Sequence, residues 1–294
     1  MAENLRDYRR RIKSVRNTVQ LTKAMKMVAA AKLRRSQEAM LAARPYSAAL
    51  GRVLVEVSRR AHPELHPLLA ARPEKKVDLL VCTGDRGLAG AFNTNILKAA
   101  ELWRADRERA GIKVEVTPVG RKANDYFRRR PSIPTRRGPT DVFRGLSFDL
   151  ARDIAADFEQ RFVEGETDGV FIAFNEFRSV IAQKVTVQPI LPLAELVGEQ
   201  PDGFEPSQSE YIYEPAPEKL LGHLLTRYVA FRMYHALLES AAAENAARMS
   251  AMENATRNGE EMIGKLTLQM NRVRQAAITK EIIEVVSGAQ ALEG

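Results

Sequence analysis

The longest regular pattern of apolar residues lies toward the carboxyl end of the chain. From about residue 217 to 286 the sequence is helical in character and, after Pro217, contains no proline. At ~1.5 Å per residue, such a helix would be about 100 Å long. One stripe of residues alternates steps of four and three, which is the heptad register of a coiled coil and requires a partner helix. The stripe comprises Leu224, Tyr228, Phe231, His235, Leu238, Ala242, Asn245, Met249, Met252, Thr256, Gly259, Ile263, Leu266, Met270, Val273 and Ala277.

The partner is predicted at the amino end, where the same rhythm recurs. Helical composition continues there to about Ala43, and the pair Arg44 and Pro45 is expected to end the helix, because a residue before proline disfavours helical torsions. We therefore predict an antiparallel coiled coil between the two terminal helices. The amino-terminal stripe consists of Leu5, Tyr8, Ile12, Val15 and Val19.

The amino-terminal stripe weakens after Val19. Its next two positions are polar, Thr22 and Lys26, whereas Leu21, Met25 and Val28 form an apolar stripe on a neighbouring face. This pattern predicts that the packing partner of the helix changes at this point.

The two helices are unequal in length, which leaves part of the longer one without a partner. A first helix of about forty residues spans ~60 Å, so on the order of 40 Å of the second helix is unpaired. This section, roughly residues 263–292, is apolar on more than one face, which is unusual for a lone helix in water. Either it folds back onto its own chain or it sits in a sleeve made by other chains, and we favour the sleeve. Its apolar tip comprises Ile278, Ile282, Ile283, Val285, Val286 and Leu292.

The segment between the helices alternates strand and helix patterns. Strands are predicted at 77–82, 114–119, 169–174 and 180–187, and helices at about 90–110, 121–130 and 147–164. This order is typical of a small α/β, Rossmann-like domain. We predict α/β architecture with long helices: a coiled-coil helix over 1–60, a central α/β domain over 75–210 and a second coiled-coil helix over 211–294.

Composition narrows the class of protein. The chain has 294 residues, 45 Lys and Arg against 37 Asp and Glu, and one cysteine, Cys82, within an apolar run. A disulfide within one chain is therefore excluded, and a reducing compartment is expected. No run of about eighteen apolar residues is present, and no apolar signal segment follows the charged start.

Recognisable catalytic motifs are missing from the sequence. Gly84, Gly87 and Gly90 follow a strand and precede a helix, but their GxxGxxG spacing is neither the dinucleotide fingerprint nor a phosphate-binding P-loop, so a structural turn is the favoured interpretation. The four histidines lack metal-ligand spacing, and GxSxG and HExxH do not occur. We expect a chain that binds no cofactor and catalyses nothing by itself.

The amino-terminal helix is strongly basic. Its cations greatly outnumber its two early acids, Glu3 and Asp7, and Tyr8 is the only aromatic residue there that could stack on bases. A solvated helix face, an acidic protein surface and nucleic acid are three possible explanations, and the acidic surface is favoured over nucleic acid. The cations are Arg6, Arg9, Arg10, Arg11, Lys13, Arg16, Lys23, Lys26, Lys32, Arg34 and Arg35.

Several segments resemble the gamma subunits of bacterial F-type ATP synthases. They are IKSVRNT at 12–18, LTKAMKMVAAAK at 21–32, TGDRGLAG at 83–90, AARMSAMENAT at 246–256 and ITKEIIEVVSGA at 278–289. The resemblance extends over the whole chain. It implies a rotor shaft inside a ring of alpha and beta subunits, standing on a ring of membrane c subunits beside an epsilon subunit, in single copy on the cytoplasmic face of the plasma membrane.

The resemblance also implies roles for particular residues. Lys23, Met25 and Lys26 match the part of the shaft that faces an acidic lever loop of beta. Arg274, Gln275 and Thr279 match a polar catch that holds the ring. The tip with Ile282, Ile283, Val285, Val286 and Leu292 matches the part that turns in an apolar collar, and Tyr211, Tyr213 and Glu214 match the foot near the c-ring and epsilon.

The sequence leaves two other functions open. A basic coiled-coil adaptor for nucleic acid would show steeply salt-dependent binding by the isolated chain. A nucleotide-binding α/β enzyme would hold a ligand at residues 84–90.

Overall fold

The computed structural model describes residues 5–58, 66–193 and 216–293, and they form five α-helices and four β-strands. These residues divide into two compact units, one joining the two ends of the chain (Met1–Ala29 and Met249–Gly294) and one covering Ala30–Arg248. In chain order, the elements are α1 (Leu5–Ser58), β1 (Lys76–Cys82), α2 (Phe92–Arg109), β2 (Lys113–Val119), α3 (Arg121–Arg128), α4 (Phe148–Val163), β3 (Gly169–Phe177), β4 (Gln183–Leu191) and α5 (Pro217–Glu293).

The sequence pattern predicted that the first helix ends at Pro45, and this prediction is wrong. α1 continues through this proline to Ser58. Pro45 removes one backbone donor from the helix, and its ring is exposed. Tyr46 lies beside it with its ring centroid 5.6 Å from that of Phe231. Packing of this following segment, in which Leu50, Leu54 and Val57 are buried, outweighs the lost hydrogen bond.

The four strands form one mixed sheet in the order β2-β1-β3-β4. β1 is parallel to both of its neighbours, and β4 runs antiparallel to β3 as the second strand of a hairpin. The last strand lies about three residues further along the chain than predicted, because the connection occupies residues 178–182. The predicted α/β fold is confirmed.

Both faces of this sheet are covered, which explains the continuous apolar run of β1. Val77, Leu79 and Val81 point to one side, where they pack with residues of α2 and α3. Leu80 and Cys82 point to the other side, into a core shared with α4, the end of α1 and the start of α5. The second unit is therefore a three-layer α/β domain.

The unit formed by the two chain ends is an antiparallel pair of helices. Buried side chains of α1 alternate with heptad spacing and meet α5 running in the opposite direction. At Gly259 of α5, an added Cβ would lie 2.5 Å from Cγ2 of Val19, so only glycine allows this close approach. The predicted antiparallel coiled coil is confirmed. The buried seam includes Tyr8, Ile12, Val19, Thr22 and Met252.

Candidate functional surfaces

The two lysines predicted to face an acidic partner each meet an acidic residue of their own chain. Lys23 Nζ lies 2.6 Å from Glu260 Oε1, and Lys26 Nζ lies 2.7 Å from Glu253 Oε2. Each lysine side chain is at least one-third exposed, so both pairs lie on the surface, where such contacts contribute about 0–1 kcal/mol. The lysines can exchange partners at little cost.

These two glutamates escape prediction when the basic residues of α1 are compared only with acids of the same helix. The signal was present in the heptad register, since charged residues that flank an antiparallel seam pair across it. Glu253 and Glu260 lie one and four positions from seam residues Met252 and Thr256.

The polar seam position Thr22 does not mark a change of packing partner, which corrects the expectation from the sequence. Thr22 is buried and its hydroxyl lies 2.7 Å from that of Thr256 on α5. Thr22 also donates to the Val19 carbonyl at 3.0 Å. The seam therefore continues through a hydrogen-bonded threonine pair, which pays no penalty for an unsatisfied hydroxyl.

The neighbouring apolar stripe of α1 remains open to solvent in this chain. Leu21 is 60 % exposed, Val28 is 56 % exposed and Met25 between them is half-buried. Their spacing of four and three residues places them on one face. Apolar side chains in a row on an open helix face are typical of a surface that another protein covers.

The last part of α5 is exposed on every side. All residues from 278 to 290 are exposed, including Ile282 at 58 % and Val285 at 71 %. The alternative in which this segment folds back onto its own chain is therefore wrong for these residues. The side chain of Leu292 lies outside the described residues.

The predicted catch residues lie just before this tip. Arg274, Gln275 and Thr279 are all exposed on α5. Gln275 and Thr279 are one helical turn apart and share a face. The predicted foot residues Tyr211, Tyr213 and Glu214 lie outside the part of the chain that the structure describes.

The glycine turn after β1 is closed by the chain itself. The Gly84 N–H donates to Asn93 Oδ1 at 2.9 Å, and the Asp85 carboxylate accepts from the backbone N–H groups of Arg121 and Asp141 at 2.8 and 2.9 Å. A Cβ added at Gly84 would overlap the carboxylate of Glu244 on α5. The turn thus packs against a protein carboxylate at the place where a phosphate group would approach.

Sequence reasoning also missed the acidic residues of α5 that lie inside the central domain. Glu239 and Glu244 are buried within an alanine-rich stretch of the helix. The sequence signal is a pair of carboxylates in a segment composed mostly of small residues, LESAAAENAA. Charged side chains in such a setting require specific partners.

Cys82, the last residue of β1, is buried in the core. Burial raises the pKa of the Cys82 thiol to about 12, as expected for a core cysteine. Within residues 5–58, 66–193 and 216–293, no cluster of three or more His, Cys, Asp or Glu side chains is arranged to hold a metal ion. None of the helices in these ranges has both the length and the apolar character needed to cross a membrane.

Comparisons with known proteins give a consistent match over the whole chain. A family model described as ATP synthase matches residues 4–292. The chain is 47 % identical over 293 residues to the ATP synthase gamma chain of Anaeromyxobacter sp. (strain Fw109-5), covering 99 % of both chains. It is 48 % identical over 294 residues to the ATP synthase gamma chain of Solibacter usitatus, again covering 99 % of both.

Solved structures resemble this fold at lower sequence identity. A chain of the Euglena gracilis mitochondrial ATP synthase, from a structure of OSCP, F1 and c-ring in rotational state 3, matches with a TM-score of 0.66 and 20 % identity, covering 98 % of this chain and 94 % of that chain. A chain from the central stalk and c-ring of the Tetrahymena thermophila mitochondrial ATP synthase matches with a TM-score of 0.59 and 24 % identity, covering 80 % of this chain and 99 % of that chain. These matches support the fold.

Proposed function

This chain belongs to the ATP synthase gamma chain family, and from this premise we propose that it is the central rotor shaft of an F-type ATP synthase. It couples rotation of a membrane c-ring, driven by proton flow, to conformational cycling of catalytic sites on the beta subunits. The chain itself performs no bond-making step and is a non-catalytic part of the complex. Its place is on the cytoplasmic face of the plasma membrane, in one copy per complex.

The observation that carries this proposal is the uncovered end of α5. Residues 278–290 are all exposed, although they include three isoleucines and two adjacent valines. A helix with this surface is stable in water only when another chain covers it. A ring of alpha and beta subunits provides such a cover as an apolar collar around Ile282, Ile283, Val285, Val286 and Leu292.

The contacts that select one catalytic site over another belong to the basic and apolar faces of α1. Lys23 and Lys26 are held by weak surface ion pairs that an acidic beta loop can replace. Met25 belongs to the open apolar stripe beside them. An asymmetric shaft shifts the three beta subunits unequally only if it contacts them with different free energies, and this surface provides such contacts.

The two other predicted contact sites bind the alpha and beta ring and the base of the rotor. Arg274, Gln275 and Thr279 form the catch that hydrogen-bonds to the alpha and beta ring. We assign contact with the c-ring and the epsilon subunit to Tyr211, Tyr213 and Glu214. Neither nucleic acid nor a bound cofactor has a part in this function.

A positive charge placed on the contact face of α1 tests this proposal. In the reconstituted complex, Met25→Lys should create an ion pair with beta in one rotary position and stabilise that position by about 1–3 kcal/mol, which slows rotation roughly 5- to 150-fold. ATP hydrolysis and proton pumping are measured together at several salt concentrations. The expected result is a loss of protons pumped per ATP that shrinks as salt rises.

Met27→Lys serves as the matched control, because it adds the same charge to a 66 % exposed side chain on a different face of α1. It should leave coupling unchanged. Unchanged pumping per ATP in Met25→Lys would remove this face from the coupling mechanism. A complex that assembles and couples without this chain would overturn the rotor-shaft function itself.

A further inference from the structure

One segment of α5 is enclosed by the chain on all sides. Every residue from 236 to 246 is buried, whereas a helix on a protein surface buries one face only. The stretch contains five alanines, which lets neighbouring backbone approach closely, and it also contains the carboxylates of Glu239 and Glu244. Buried carboxylates are retained at a cost, so their partners indicate what they do.

Glu239 is bound to the end of a sheet strand. Its Oε2 accepts the backbone N–H of Phe177 at 2.6 Å, a short charge-assisted hydrogen bond. Phe177 is the last residue of β3. The side chain of Glu239 is 10 % exposed, so water competes little for this contact.

Glu244 packs against the turn that follows the neighbouring strand. Its Oε1 pairs with the Arg248 guanidinium at 2.5 Å on one side. On the other side it occupies the space above Gly84, where any Cβ would overlap it. The small side chains of Ala89 and Ala243 pack together beside this contact.

These two contacts lie at the same edge of the sheet. β1 and β3 are adjacent parallel strands, and both Gly84 and Phe177 lie at the carboxyl ends of these strands. The carboxyl edge of a parallel sheet is where α/β domains of this architecture bind their ligands. Here that edge is filled by two carboxylates of α5.

We propose that Glu239 and Glu244 act as internal ligands of the α/β domain and lock α5 to it, so that torque on the domain turns the helix without slip. We call the contacts of Glu239 and Glu244 with the sheet edge the clamp. Gly84 is required for this clamp and not for binding a nucleotide. This role rests on the proposed rotor function and deepens it. Glu239, Glu244 and Gly84 are positioning residues that touch no reacting group.

The clamp is tested in the complete complex under load. Gly84→Ala should push the Glu244 carboxylate out of its place, and the complex should slip as the opposing proton gradient rises. Protons pumped per ATP hydrolysed are measured in vesicles at increasing opposing gradients, with an expected loss of about threefold or more at the highest gradient. A defect of folding alone would lower activity equally at all gradients.

Gly87→Ala is the matched control, because a Cβ at this position of the same turn has nothing within 4 Å. It should pump as the unmutated complex does. Adding Glu244→Ala to Gly84→Ala removes the carboxylate that the clamp needs, so the double variant should slip under load as Gly84→Ala does. Equal behaviour of Gly84→Ala and Gly87→Ala, or restored pumping under load in the double variant, would overturn the clamp.

Glu244→Gln provides a second test if the complex that carries Gly84→Ala does not assemble. It keeps the shape of the side chain and removes its charge, and it should lower pumping about twofold under the same load. Full pumping under load in this variant would also contradict the proposal. Failure of the rotor function is distinguishable, since it appears in the unmutated complex as pumping that does not depend on this chain.

Discussion

Two stretches of α5 differ in a way that reverses the usual relation between residue type and burial. Residues 236–246 are completely buried, yet they are mostly small residues with two carboxylates and an asparagine. Residues 278–290 are all exposed, yet they include isoleucines and valines. Burial therefore follows what packs around the helix. The first stretch is covered by its own chain, and the second displays the surface that a different chain must cover.

The same contrast applies to charges. In the central domain, the buried charge of Asp78 has a charged partner on a neighbouring helix. The Asp78 carboxylate is fully buried on β1, and Arg161 of α4 donates to it at 3.1 Å. Arg161 also reaches Glu115 at 2.8 Å and Glu166 at 3.0 Å. Removing one member of such a cluster leaves a buried charge without compensation.

The largest effect is expected from breaking this cluster. Arg161→Met keeps the apolar stem but leaves Asp78 buried and unpaired, so the free energy of unfolding should fall by about 3–5 kcal/mol. Denaturant unfolding of the purified chain, followed by circular dichroism, measures this loss. Arg152→Met on the same helix removes only exposed ion pairs and should cost no more than about 1 kcal/mol. Similar losses in the two variants would mean that burial of Asp78 does not matter.

A second effect is a pH dependence of the central domain. Burial raises the pKa of Glu159 on α4 from 4.5 to about 7, although a hydrogen bond with Thr226 opposes the shift. Because the folded state holds this proton more tightly than the unfolded state does, stability should fall as pH rises from about 4.5 to about 7 and then level off. Glu159→Gln should remove this decline and raise the free energy of unfolding by about 1–2 kcal/mol at pH 8.

Urea unfolding of both proteins at pH 5 and pH 8 is the measurement. The difference between Glu159→Gln and the unmutated chain should be small at the lower pH and larger at the higher one. A constant difference at both values would mean that Glu159 stays ionised, or stays protonated, throughout this range.

The smallest effect on stability is expected at the exposed tip. Ile282→Ala with Val285→Ala should change the free energy of unfolding of the isolated chain by less than about 0.5 kcal/mol, because both side chains are mostly exposed. Leu237→Ala, in the buried stretch of the same helix, should cost about 2–5 kcal/mol. The tip variant should instead weaken assembly with alpha and beta subunits, measured by co-purification.

Amide hydrogen exchange sharpens the same comparison. In the purified chain, residues 236–246 should exchange slowly and residues 278–286 rapidly, because only the first stretch is held by tertiary contacts. Strong protection of 278–286 without partners would show that the tip is covered by its own chain.

The periodicity of the sequence was sufficient for most of the architecture. Alternating and continuous apolar runs predicted the starts of β1 and β2 to within one residue. Heptad spacing identified the antiparallel pair of terminal helices. Pro45 was misread because local propensity is weak against the packing of a long helix. The start of β4 was predicted three residues too early, because this half-buried strand shows little alternation of buried and exposed positions.

The sequence by itself determined which elements form, that the two terminal helices pair and that one end of α5 lacks a partner, because apolar spacing and helix length are local properties. Only the tertiary structure decided that Lys23 and Lys26 meet Glu260 and Glu253, and that Glu244 lies over Gly84. These contacts join residues far apart in the chain. They depend on the rotation of each helix about its axis and on what it packs against, and a periodic pattern leaves both open.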